Sequence, residues 1–161
     1  MMLLNGSTGE GRLQMSDVET NKANARRTWE EIFPACDVDA LEEVTAPDVV
    51  GHGARPDEPP GIEGVKRTML WLASVFSDQR WEIHHAIGEA DMVVLHCTHH
   101  GRHTGELFGI PPTNRQVAYS YVHILRFRDG KATEHWGVRD DVTLMRQLGV
   151  LPERPLATAR S

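Results

Sequence analysis

The chain reads as an α+β domain in which helices come first and an antiparallel sheet follows. Apolar residues recur at helical spacing as far as Phe76, and from Arg80 to Asp140 the period falls to two, with turn residues between the runs. An Asp129-Gly130 pair between two alternating segments adds the strongest short-range hairpin signal, so the last two strands pair antiparallel.

Residues 1–20 are rich in Gly, Ser, Thr and acids without periodicity and are expected to form a flexible leader. Ala25, Trp29 and Phe33 then fall every four residues, with Arg26, Arg27, Glu30 and Glu31 on the other faces, so a first helix starts near Asn21 and stops at Pro34. Asp37 can cap a short second helix that carries Leu41 and Val44 and ends at Pro47. Residues 51–60 read as a loop. Ile62, Val65, Met69, Leu72 and Phe76 mark a third, amphipathic helix. Strands are expected over 80–87, 92–103, 116–128 and 131–140. Asp141 is the natural N-cap for a last helix carrying Val142, Leu144 and Leu148, with Gly149 as its stop. Residues 151–161 read as a loosely ordered tail, which leaves one domain over 21–150.

A net charge of −6 and the lack of any Lys/Arg cluster argue against nucleic acid and anionic membrane surfaces as partners. No apolar run approaches membrane-spanning length, and Met1-Met2-Leu3-Leu4 is too short for a signal-peptide core. Cys36 and Cys97 are expected to be free thiols, consistent with a cytoplasmic protein.

The hairpin fixes which residues face each other. With Asp129 and Gly130 as loop residues, Arg128 opposes Lys131, and an uninterrupted ladder pairs His123 with Trp136, Tyr121 with Val138 and Tyr119 with Asp140. One face would then carry Tyr119, Tyr121, His123, Leu125 and Phe127 beside Trp136, Val138 and Asp140. A carboxylate desolvated there would have its pKa raised and suit proton transfer near neutral pH. The plainer alternatives are that Asp140 caps the last helix or pairs with Arg139 or Arg102, and that His123 is a core histidine bonded to a tyrosine. His52, between Gly51 and Gly53, sits where the backbone can approach a ligand or simply turn. His96, His99, His100 and His103 crowd one strand beside His84 and His85. Alternation sends His96 and His100 to one face and His99 and His103 to the other, so no metal site is expected. His99 and His103 are kept as pocket-liners. No Gly-rich phosphate loop, serine elbow or catalytic cysteine context occurs, which leaves acid/base work on a bound apolar molecule.

The stretch His103-Thr104-Gly105-Glu106-Leu107-Phe108-Gly109-Ile110-Pro111-Pro112-Thr113, then Asp129-Gly130-Lys131, Glu134-His135-Trp136, Asp140 and Gln147-Leu148-Gly149, resembles the SnoaL-like polyketide cyclase (ester cyclase) family. Ala46-Pro47-Asp48, His52, Pro59-Pro60-Gly61 and Glu63-Gly64 are similar to its pattern as well, so the resemblance runs from about Trp29 to Gly149. It implies a cone-shaped α+β barrel of the ketosteroid-isomerase and nuclear-transport-factor type, its curved antiparallel sheet wrapped around N-terminal helices, and usually a homodimer. It also implies an intramolecular aldol closure of a polyketide ester, without metal or organic cofactor, with an aspartate as general acid/base. By position that acid would be Asp140, with His123 as its partner. Trp29, His52, His99, His103, Phe108, Tyr119, Tyr121 and Trp136 would contact the polyketide-like substrate. The rival expectations are a hydrolase, hydratase or isomerase using the same acid, and a non-catalytic small-molecule-binding dimer.

Overall fold

The computed structural model describes residues 10–153, with side chains from Asp17 onward. The expectations for residues 1–9 and 154–161 lie outside the described residues. Helix α1 (Glu10–Arg27) begins within the stretch expected as a leader, and Val18 lies over Gly88, where a Cβ would come within 2.7 Å of Val18 Cγ1. The helix does not stop at Arg27. It runs on through one π-turn (Thr28–Ile32) into a final short turn, α2 (Phe33–Ala35), and ends at Cys36 in the left-handed region. The extra residue of a π-turn re-aims the side chains around it, and here Thr28, Trp29, Ile32 and Phe33 are all buried. The Thr28 hydroxyl donates to the Asn24 carbonyl one turn back.

Helix α3 (Val38–Val44) is capped as expected, the Asp37 carboxylate accepting from the Ala40 N–H. The residues after it form strand β1 (Thr45–Gly51), which the sequence did not announce because Pro47 breaks its pattern. Pro47 is tolerated because β1 is an edge strand with one partner. Helix α4 (Ile62–Val75) leads into β2 (Phe76–Glu89), β3 (Met92–His103), β4 (Gln116–Arg128), β5 (Lys131–Arg139) and α5 (Asp141–Gln147).

The sheet order is β1-β5-β4-β3-β2. The long β2, β3, β4 and β5 are antiparallel neighbours, while β1 joins β5 in parallel, so the sheet is mixed rather than wholly antiparallel. β2 carries two register shifts against β3, the kind of irregularity that bends a long strand and raises its twist. The helices fill the concave side. Trp29, Phe33, Leu41, Val44 and Met69 pack there against Trp81, Val93, Leu95, Leu125 and Phe127 from the sheet.

Candidate active site

The hairpin opens as expected, with Arg128 opposite Lys131 and Phe127 opposite Ala132. Thr133 is then bulged out, and Arg126 faces Glu134, joined to it by an ion pair. From that point the pairing is displaced by one residue, so His123 faces Gly137, Ile124 faces Trp136 and Tyr121 faces Arg139. A slip of one residue exchanges the two faces of a strand. His135, Gly137 and Arg139 therefore share the concave side with Tyr121 and His123, while Trp136 and Val138 go to the outer surface. Val138 is 64% exposed.

Asp140 is corrected by the same shift. It is exposed, and its carboxylate caps α5 by accepting from the Thr143 N–H and hydroxyl at 3.0 and 2.6 Å. Those two hydrogen bonds hold its pKa below the ordinary carboxylate value, opposite to the rise expected of a desolvated acid. Asp141, expected as the cap, instead pairs with Arg139. Asp140→Ala should therefore cost about 1 kcal/mol of stability, a normal capping loss, and leave turnover within a few-fold of wild type. A collapse of turnover with unchanged thermal midpoint would return Asp140 to the catalytic machinery.

Inside the sheet the aromatic and imidazole rings form one stack. Trp29 lies on His123 with centroids 3.7 Å apart, and Tyr121 lies on the same histidine at 4.0 Å. The Nδ1 of His123 is 3.1 Å from Nε2 of His135, the residue brought inward by the bulge. His123 is 1% exposed, and its Nε2 has no hydrogen-bond partner among the described residues, nor has the indole nitrogen of Trp29. Burial pushes both imidazoles down, His123 well below the usual value and His135 to about 4, so both are neutral at pH 7. Each can accept a proton, and one nitrogen of His123 is uncommitted.

A second buried network lies further along β3. His99 bridges Gln79 and Tyr119: its Nε2 donates to Gln79 Oε1 at 3.1 Å and its Nδ1 accepts from the Tyr119 hydroxyl. Its ring stacks on Trp81, and burial lowers its pKa to about 3. His103 accepts the Thr113 N–H at Nδ1, so Nε2 carries the proton, and that nitrogen too is buried without a partner. His99, His103, Tyr119, Tyr121, His123 and Trp29 are thus gathered on one concave wall, as expected. Phe108 stands at its rim, 60% exposed, 5.5 Å from Trp71 and 6.0 Å from the Arg139 guanidinium.

His52 and Trp136 do not join them. They stack on each other on the outer side at 4.3 Å, and His52 Nε2 bonds Glu134 at 2.8 Å. The other outward histidines pair among themselves or with local acceptors: His85 with His96, His84 with Thr98, His100 with Glu82. Among the described residues no group of three or more His, Cys, Asp or Glu is placed to hold a metal ion. Two surface cavities of about 820 and 390 Å³ lie by the β2–β3 and β4–β5 turns and on the flank of the bulge, away from the imidazole stack.

His135, Gly137 and Arg139 were missed in the sequence because no turn residue marks a bulge at Thr133. One signal was available. Opposite charges favour directly opposed positions, and Arg126 can meet Glu134 only if the ladder slips by one.

The sequence pattern of the SnoaL-like polyketide cyclase family matches residues 23–148. Nogalonic acid methyl ester cyclase of Streptomyces nogalater is 32% identical over 90 residues, covering 55% of this chain and 67% of that protein. Aklanonic acid methyl ester cyclase AcmA of Streptomyces galilaeus is 36% identical over 82 residues, half of this chain and 57% of that one. The chain thus spans two thirds or less of these two relatives. Among solved structures, the polyketide cyclase IdmH of Streptomyces antibioticus superimposes with a TM-score of 0.70 at 30% identity, over 81% of this chain and 99% of IdmH. With the match running from the last turn of α1 through all five strands and the whole of α5, the chain belongs to the SnoaL-like polyketide cyclase family, a family of enzymes.

Proposed function

We propose that this protein closes a carbon ring on an enolisable, polyketide-like ester by proton transfer on the concave wall of the sheet, with His123 moving the proton and no metal or organic cofactor taking part. The observation that carries the reading is the His123 imidazole. It is buried and neutral, held at Nδ1 by His135, with Nε2 unpartnered among the described residues and the ring between two aromatic rings. In this scheme Nε2 takes a proton from a carbon flanked by carbonyls. The resulting carbanion forms the new carbon–carbon bond to a second carbonyl, whose oxygen becomes an alkoxide and takes the proton back. No atom is gained or lost. Positioned proton transfer is worth roughly 10²–10⁴-fold, and holding the folded chain in a reactive pose supplies the larger share. Trp29, Tyr119, Tyr121, His99 and His103 would line the substrate, with Phe108 at the entrance. Nogalonic and aklanonic acid methyl esters, for which the relatives are named, are the substrates to try first.

Incubation with aklanonic acid methyl ester in ¹⁸O-water tests this. A product of unchanged mass with a new ring supports the cyclase. Uptake of ¹⁸O would establish a hydrolase or hydratase instead, and recovery of unreacted ester across the substrate class would leave a binding module.

The protein is further proposed to be a homodimer joined through the outer face of the sheet, where Ile87 and Val138 are 63% and 64% exposed. Val138→Arg should convert a dimer to a single protomer in sedimentation. An unchanged mass would place the contact elsewhere.

A further inference from the structure

Gly137 has an ordinary backbone conformation, absent from the positive-φ glycines, so its missing side chain is a matter of space rather than of torsion. A Cβ built there would lie 2.6 Å from the Tyr121 hydroxyl oxygen and 3.0 Å from its Cε1. These are atoms of a rigid ring, already fixed in its stack on His123 at 4.0 Å and 11°. Tyr121 thus occupies the room that a side chain at 137 would need. Its sister Tyr119 has its hydroxyl committed to His99, whereas the Tyr121 hydroxyl has no hydrogen-bond partner among the described residues. Gly137 is exposed and Tyr121 half-buried, so the hydroxyl stands where the concave wall opens to solvent. Burial raises the phenol pKa, which keeps it a proton-bearing donor at neutral pH. Arg139, opposite Tyr121 in the ladder, is ion-paired with Asp141 on the same side.

We infer that the notch between Tyr121 and Gly137 is an oxyanion-binding site, in which the Tyr121 hydroxyl donates to the enolate or phenolate oxygen of a flat ligand. For an enolate this rests on the ring-closure reading above, and it deepens that reading by giving the developing charge a fixed donor beside the imidazole that removes the proton. For a phenolate it stands alone. A small side chain at 137 is then a requirement of the site, since any Cβ there displaces the donor.

The test uses 4-nitrophenol, whose phenolate is read by its visible absorbance, with the whole protein at pH 7. The wild type is expected to take it up as the phenolate. Tyr121→Phe, which keeps the ring and its stack, should weaken phenolate binding about ten- to a hundredfold, the scale of a hydrogen bond to a charged group. Gly137→Ala should do the same by pushing the hydroxyl aside. Equal phenolate affinity in wild type and Tyr121→Phe would overturn the assignment, as would uptake of the neutral phenol alone by the wild type. Phenolate capture without any ring closure of the ester would leave the notch standing and sink the cyclase. Ring closure at wild-type rate in Tyr121→Phe, with its phenolate affinity intact, would do the reverse.

Discussion

His123→Gln is expected to lower kcat by roughly 10²–10⁴-fold while changing KM far less. The glutamine amide is close in volume to imidazole and can keep a hydrogen bond to His135, so the inner wall should stay closed around it. What it cannot do is accept a proton from carbon. His123 is the only residue on this wall that combines complete burial, a hydrogen-bonded partner imidazole and a second nitrogen with nothing bound among the described residues. Burial lowers its pKa, so the free imidazole is a modest base. The enolate that forms beside it supplies the counter-charge that stabilises the imidazolium, and the proton moves with the charge rather than ahead of it. Circular dichroism and the thermal midpoint should show a folded variant. Turnover within threefold of wild type would remove His123 from the chemistry, whatever happened to binding.

Acidification should destabilise the fold steeply, because several histidines are buried without charge. In the unfolded chain each titrates near 6.5; in the folded protein His99 titrates at about 3 and His135 at about 4, and His123 lies well below its ordinary value. Between the two values the unfolded state binds the proton and the folded state does not, so stability is fully present above about pH 6.5 and is lost as the pH falls. Each such group costs about 1.4 kcal/mol per pH unit in that window. Counting only His99 and His135, which titrate at about 3 and about 4 when folded, about 4 kcal/mol is gone by pH 5, a large part of the 5–15 kcal/mol that holds an ordinary domain together. The slope flattens first for His135, near pH 4, and later for His99. Scanning calorimetry from pH 7.5 to 5 checks this. A midpoint that stays level across that range would mean that the imidazoles are hydrated or already charged in the folded protein.

Most of the architecture was written in local pattern. The α3 cap at Asp37, the stripe of α4 and the bounds of β3 and β4 follow from spacing, since burial on one face imposes its period on the residues that supply it. Two elements resisted for physical reasons. β1 owes its existence to β5, a neighbour some eighty residues away, and Pro47 makes it look like an interruption. The first turns of α1 contain glycine and many polar residues, yet Val18 gains a place over Gly88 that composition cannot reveal. The concave wall was half legible. His99, His103, Tyr119, Tyr121 and His123 share one face of the sheet as alternation predicts, because β3 and β4 pair without irregularity. Beyond the turn, what was inferred by counting across the last hairpin is inverted, because the count assumed a ladder without an extra residue. Asp140 and Trp136 fall outside for that cause, whereas His52, just past the edge strand β1, stacks on the outward Trp136.

Thr133 therefore acts as a phase setter for the final strand. Taking it into the ladder, opposite Arg126, would ask the segment after it to turn its bulky outer rings inward and to expose its imidazole and guanidinium, with no change of amino-acid type at any position. Such a chain would be identical letter for letter and chemically a stranger, so one unpaired residue at this corner decides which alternate side chains the last strand offers to a substrate.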